Sequence, residues 1–342
     1  MTKRNFYFDN AKFILIFFVV FGHLIQSYIH DDSIFFTIYT TIYMFHMPAF
    51  ILMSGFFAKN FHKKGYVMKL LKKLLLPYFL FQITYTIYYY FLYDQNSLEL
   101  EPLIPNWSLW FLLSLFFWNI LLILFVKLLN LRPAVSLLLA FLLGLAVGCL
   151  NVPLDFLSFS RTFVFFPFFL LGYYLKKKHF TRLFSNKVRF LNFCFILCLS
   201  STIYFIPEAN EKWLLGSMPY NEFDTSNLLG ILIRAGLYIL NLMMIACFFT
   251  FVPKKQFFFT NWGKNTLYVY LLHGFFIKAF RESEIKDSFE SIVLLLIVSL
   301  LITVFLSSKF MTTIAQPVIE LRLGKLKRCF HQIRKKLHYI ES

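Results

Sequence analysis

Ten apolar runs, each of a length that can cross a lipid bilayer, recur from end to end of this 342-residue chain. They lie near 12–30, 38–58, 70–93, 108–129, 133–151, 161–176, 188–207, 228–252, 265–280 and 290–312. A backbone in hydrocarbon must satisfy its own hydrogen bonds, so runs of this length read as membrane helices. The expected fold is therefore all-α: a ten-span polytopic integral membrane domain over 1–312 and a basic tail over 313–342. Within the tail, Arg322–Lys336 is expected to lie along anionic lipid as an interfacial helix. The run behind Lys3 and Arg4 has no small-residue cleavage site, so it is expected to be a retained span.

The segments between the runs alternate in charge. The N-terminus, the 59–73 loop, the 127–132 turn, the 176–189 loop, the 254–264 loop and the tail hold 28 of the 34 Lys+Arg. The other set, Asp31-Asp32, the Asp94–Glu101 loop, Asp155, the 207–227 loop and the 281–290 loop, carries 14 of the 17 acidic residues, and with the apolar runs beside it holds only six basic ones. Positive-inside orientation then places both termini in the cytoplasm. The same scatter of basic clusters argues against nucleic acid as the partner of a chain with net charge +17. Five cysteines give an odd count without zinc spacing, and four lie inside apolar runs, so neither a disulfide framework nor a metal cluster is indicated.

Ionisable groups inside a bilayer are costly, and they mark candidate chemistry. In the first run, Lys12 and His23 are eleven residues apart; at about 100° and 1.5 Å per residue they share one side, about 16 Å apart. Asp9, one turn before Lys12, can hold it in place. His46 lies beside Pro48, which removes a backbone donor and kinks the second run. Ser54-Gly55 permits close backbone approach, to another helix or to a ligand. Lys69, Lys72 and Lys73 fall at helical spacing as one cationic patch, either a topogenic cluster or a seat for phosphates. Trp107 and Trp110 are interfacial anchors or a stacking surface for a sugar ring. His273 is a third intramembrane imidazole, and Arg161 and Arg234 are cations that suit an oxygen-rich or anionic acceptor. Three histidines on three helices also permit a metal, but the spans lack HxxxH or Cys/His spacing and no intramembrane carboxylate joins them. No metal site is expected.

The order of these motifs resembles one family. Phe8-Asp9-Asn10-Ala11-Lys12 through Val20-Phe21-Gly22-His23, then His46-Met47-Pro48 and Ser54-Gly55-Phe56, is similar to the membrane-bound acyltransferase-3 family. So are the basic run before Leu76-Pro77-Tyr78, Trp107–Phe111 and Tyr270–His273, which bring it nearest to the fucose 4-O-acetylase-like proteins. The resemblance implies that the family's basic residue and essential histidine, ten residues between, fall on Lys12 and His23. It also implies that the family's Arg-x-x-Arg acyl-CoA element falls on Lys69 and Lys72. Lysine there keeps the charge and loses the bidentate fork.

Membership would make the chain an O-acyltransferase of the bacterial cytoplasmic membrane. The donor substrate would be cytoplasmic acetyl-CoA or another acyl-CoA, with no tightly bound cofactor. The acceptor would be a hydroxyl of a cell-surface carbohydrate or its lipid-linked precursor, with glycan-synthesis machinery as a candidate partner. The implied assignments are His23, Lys12 and Asp9 for catalysis, Lys69, Lys72, Lys73, Ser54 and Gly55 for acyl-CoA, and His46, Trp110, Arg234 and His273 for the acceptor cavity. With no large catalytic domain attached, the acyl group would go to the final acceptor or to a separate protein. A transporter or flippase for a lipid-linked glycan is the competing reading, since it too needs a polar cavity among the spans.

Overall fold

A computed structural model describes residues 5–150, 155–206, 210–284, 286 and 291–320. Among these residues every regular element is helical: α1 (Phe6–Ile25), α2 (Ser33–Tyr43), α3 (His46–Phe57), α4 (Tyr66–Leu70), α5 (Leu76–Leu92), α6 (Trp110–Leu122) and α7 (Pro133–Ala146) form the first half. The second half is α8 (Phe159–Tyr174), α9 (Lys177–Thr181), α10 (Asn186–Phe205), α11 (Asn227–Phe251), α12 (Thr266–Glu282), α13 (Ile292–Ser307) and α14 (Lys309–Ile319). Arg322–Lys336 lies outside the described residues.

Each of the ten apolar runs is helical, but not each is one long helix. Six helical stretches are long and apolar enough to cross a membrane, seven if the pair α13 and α14, bent by 60°, counts as one. This is a polytopic all-α membrane protein. The third run is a continuous helical stretch in which a π segment, Leu71–Leu75, joins α4 to α5. Pro77 explains the wide turn, because a proline ring collides with the carbonyl four residues back, here Lys73. The second run breaks between α2 and α3, at Met44 and Phe45, ahead of Pro48 and not at it. The reason is the same: Met44 is the residue four before the ring.

Side-chain oxygens hold the helix starts. Asn5 caps α1 through the Tyr7 N–H at 3.1 Å, and Ser185 and Ser226 cap α10 and α11. α1 is the central helix: 72 % of its apolar window is buried, against 6 % for α10, whose apolar surface is left for lipid. Between helices, where burial from lipid supplies little drive, tyrosine hydroxyls donate to neighbouring backbones. Tyr7 donates to the Phe249 carbonyl, Tyr85 to Leu271, Tyr88 to Phe275, Tyr220 to Leu145 and Tyr238 to Val164.

The charged loops collect at opposite ends. At one end Asn10 donates to the Pro253 and Lys255 carbonyls, and Lys59 to that of Leu175. At the other, His30 meets Glu211 at 3.9 Å and Tyr28 donates to the Lys286 carbonyl. We call these the basic and the acidic end. Lys12 is near the first and His23 near the second.

Candidate active site

α1 carries Lys12, Ile16, Val19 and His23 at spacings of four, three and four, which is one stripe of a helix. Two cavities lie along it. The one toward the acidic end, about 150 Å³, has Val19, His23, Tyr43, His46, Met47, Trp107, Trp110, Arg161 and Tyr270 in its wall. The one toward the basic end, about 240 Å³, is walled by Ile16, Val19, Met47, Phe111, Tyr270 and other apolar groups, with Lys73 at its edge. Val19, Met47 and Tyr270 belong to both, so the two chambers adjoin.

His23 is in the last turn of α1, where carbonyls lack helical partners. Arg281 of α12 takes up that deficit: its Nη2 donates to the His23 carbonyl at 2.5 Å and to Gln26 Oε1 at 2.7 Å. The imidazole is held separately. Its Nδ1 lies 3.0 Å from the Tyr43 hydroxyl, at the end of α2. Its ring lies 4.5 Å from Trp107 and 5.5 Å from His273, centroid to centroid. Trp107 in turn stands between the two imidazoles and the cations of α12, with Lys278 at 5.4 Å and Arg281 at 5.8 Å from its ring. A positive φ of 36° at Trp107 is unfavourable for a bulky residue. The preceding Asn106 holds it, donating its backbone N–H to buried Gln82 and its side chain to Thr86.

The break after α2 brings His46 under Tyr43, 4.5 Å between rings. His46 Nδ1 faces the Ile42 carbonyl at 2.9 Å, and His273 Nδ1 faces those of Val269 and Tyr270 at 3.0 and 2.8 Å. A carbonyl only accepts, so in both rings Nδ1 carries the proton and Nε2 is an acceptor. The Nε2 of His273 is buried and has no partner among the described residues. Tyr270 anchors the same turn by donating to the Ser108 carbonyl. The walls thus offer neutral imidazole nitrogen, aromatic faces and one cation, Arg161, with no carboxylate among the described residues of the chamber toward the acidic end.

The remaining expected residues divide. Lys12 pairs with Asp9 at 3.1 Å and lies 5.5 Å from the Phe57 ring, one turn below Ile16 and outside both cavity walls. Of the lysine patch, Lys73 reaches the apolar chamber, while Lys69 and Lys72 are exposed beside it. Trp110 and His46 are in the wall of the chamber toward the acidic end, and His273 stands behind it against His23.

Three of the expected residues are engaged elsewhere in the protein. Ser54 donates to the Phe50 carbonyl, and a Cβ on Gly55 would fall on the Phe169 carbonyl, so α8 occupies the face of α3 at Gly55. Gly172 meets the Leu52 backbone reciprocally, which makes the pair a helix crossing. Arg234 is buried against Trp213 and Tyr220, at 5.6 and 5.7 Å from their rings, and is not in the cavity wall.

Tyr43, Gln26, Lys278 and Arg281 escape sequence reading as site residues. A signal for two of them was present: Lys278 and Arg281 are among the six basic residues that lie outside the basic segments. The Tyr43 contact gives an expected result: if His23 takes part in a reaction, Tyr43→Phe should lower kcat roughly two- to tenfold, the worth of one hydrogen bond, with KM unchanged. Steady-state kinetics on solubilised protein measures both, and an unaltered kcat would remove Tyr43 from the site.

Comparison with known proteins places the chain in a family. A family profile described as an acyltransferase domain, of the acyltransferase-3 type, matches residues 5–308. Over 62 residues the chain is 42 % identical to nodulation protein NolL of Sinorhizobium fredii and 40 % identical to nodulation protein NolL of Mesorhizobium japonicum. Each match covers 17 % of this chain and 17 % of the relative's length. No solved structure matches the chain. With the profile covering nearly its whole length, the chain belongs to the membrane acyltransferase family 3.

Proposed function

We propose that the protein is an O-acetyltransferase that moves an acetyl group from cytoplasmic acetyl-CoA to a carbohydrate hydroxyl presented at the acidic, outer end. The observation that carries this reading is the adjoining of the two chambers at Val19, Met47 and Tyr270. Together they line the interior between Lys73, at the basic end, and His23, near the acidic one.

In this reading Lys69, Lys72 and Lys73 hold the donor's phosphates as point charges, and the apolar chamber takes the pantetheine arm. His23 donates its Nδ1 proton to the Tyr43 oxygen, which leaves Nε2 bare as a general base. Nε2 takes the proton of the acceptor hydroxyl as that oxygen attacks the thioester carbonyl. The carbon–sulfur bond breaks, the proton passes to the departing thiolate, and the products are an ester and free CoA. Lys12, held by Asp9, keeps positive charge near the donor side of the same stripe. Trp107 and Trp110 offer faces for the sugar ring, and the fucose 4-O-acetylase-like group is the part of the family it would join.

Membrane vesicles supplied with acetyl-CoA labelled in the acyl group test the reaction: label should enter glycan as a base-labile ester. Label that stays in CoA or free acetate would contradict it, and glycan movement independent of acetyl-CoA would favour a flippase. The passage has its own expected result. Met47→Trp should fill the junction and lower kcat/KM for acetyl-CoA on the order of 10²-fold, because displaced reactants lose that much. Size-exclusion chromatography checks the fold, and an unchanged kcat/KM in a folded variant would rule the passage out.

A further inference from the structure

Resting on the acetyltransferase reading, we infer that Arg161 binds an anionic group, a carboxylate or a phosphoryl, carried by the saccharide that is acylated at His23. Among the described residues, Arg161 is the one side chain with a permanent charge in the wall of the chamber that holds His23. Its Nε donates to the Leu215 carbonyl at 3.3 Å, and its guanidinium lies 5.2 Å from the Trp110 ring. A guanidinium has five N–H donors in a fixed plane. Nε uses one, and the four on the terminal nitrogens have no partner among the described residues.

No carboxylate among the described residues pairs with it. Lys12 pairs with Asp9 and His30 with Glu211, both elsewhere. Asp155, in the turn ahead of α8, is exposed; it attracts Arg161 electrostatically but forms no salt bridge with it. The other walls are neutral: His23, His46, Tyr43 and Trp107 offer no negative charge to compete with a ligand. Arg161 is also in the first turn of α8, where the helix dipole adds positive potential. Lys278 and Arg281, beyond Trp107, add more.

An unpaired cation at membrane depth is expensive, and such residues mark the path of a charged substrate. Trp110 beside the guanidinium and the Leu215 carbonyl on Nε hold the group in place, and leave its terminal nitrogens to receive two oxygens of one anion side by side. A neutral sugar would leave the charge uncompensated. Arg161 therefore separates acceptors by charge, which nothing in the fold or the family match specifies.

The test uses purified full-length protein in detergent and the same protein in membranes, with glucuronate, glucose 1-phosphate and glucose as probes. In acetyl-transfer assays at least one charged sugar should inhibit at roughly ten- to a hundredfold lower concentration than glucose, the worth of a charge-assisted hydrogen bond. Which of the two does so identifies carboxylate or phosphoryl. Arg161→Gln should erase the preference, and Arg161→Lys should keep part of it and show that the fold survives. Thermal stabilisation by the same probes reads binding without turnover, and should favour the charged sugar in wild type and in Arg161→Lys only.

Equal effects of all three sugars, or a preference that persists in Arg161→Gln, would overturn the inference. So would loss of transfer in Arg161→Gln with the charge preference intact, which would put the guanidinium on the acyl carbonyl instead. Charge-selective stabilisation without any acetyl transfer would sustain the anion site and sink the transferase reading. Transfer without charge selectivity would do the reverse.

Discussion

Replacing His23 with alanine should reduce acetyl transfer on the order of 10²- to 10⁴-fold, the range that a positioned general base contributes. The size follows from what surrounds the ring. Tyr43 fixes its Nδ1 at 3.0 Å, Trp107 and His273 fix its plane, and Arg281 holds its backbone carbonyl. None of these supports disappears when the imidazole is truncated, so insertion and donor binding should persist while turnover falls. Lys12→Ala should be milder in turnover and heavier on donor KM, because Lys12 stands one turn below the apolar chamber and outside its wall. The measurement is a paired one: initial rate with labelled acetyl-CoA, and donor affinity by equilibrium binding. A His23→Ala protein that binds donor and still transfers at the wild-type rate would remove the residue from the chemistry.

The second large effect is on folding. Gly55→Val should leave little folded protein, because the first atom of any side chain at that position lands on the Phe169 backbone carbonyl. Adding a methylene to a packed interior costs about 1–3 kcal/mol when side chains can move aside. Here the obstacle is main chain on α8, and Gly172 has the same relation to Leu52 of α3, so neither helix can yield without opening the crossing. Fluorescence-detected size-exclusion on the variant reads the outcome. A monodisperse Gly55→Val protein with normal thermal stability and weakened acetyl-CoA binding would reverse the assignment and restore Gly55 as a donor contact.

The helices and the central stripe were legible because they rest on local rules. Run length marks the spans, and eleven residues bring His23 back over Lys12 whatever the rest of the chain does. The break between α2 and α3 was legible in kind but displaced. Pro48 announces it, yet the ring acts four residues back, at Met44. Pairing across the bundle could not be read. Nothing near position 43 says that Tyr43 ends beside His23, since the contact depends on how α2 returns from its Asp32 cap. Arg234 and Arg161 look alike in the sequence, one cation in each of two spans. Only packing separates the first, between Trp213 and Tyr220, from the second, in the cavity wall. Ser54-Gly55 was ambiguous for the same reason: a small pair admits a ligand or a helix, and here α8 fills the space.

One membrane-embedded route should join a donor at the basic end to an acceptor at the acidic end. Sealed inside-out membrane vesicles test it directly, with acyl-labelled acetyl-CoA outside and the glycan acceptor trapped within. The expected result is labelled glycan in the lumen and free CoA thiol outside, both lost in His23→Ala. Label that forms only when donor and acceptor share one face, or that forms equally with His23→Ala, would contradict it.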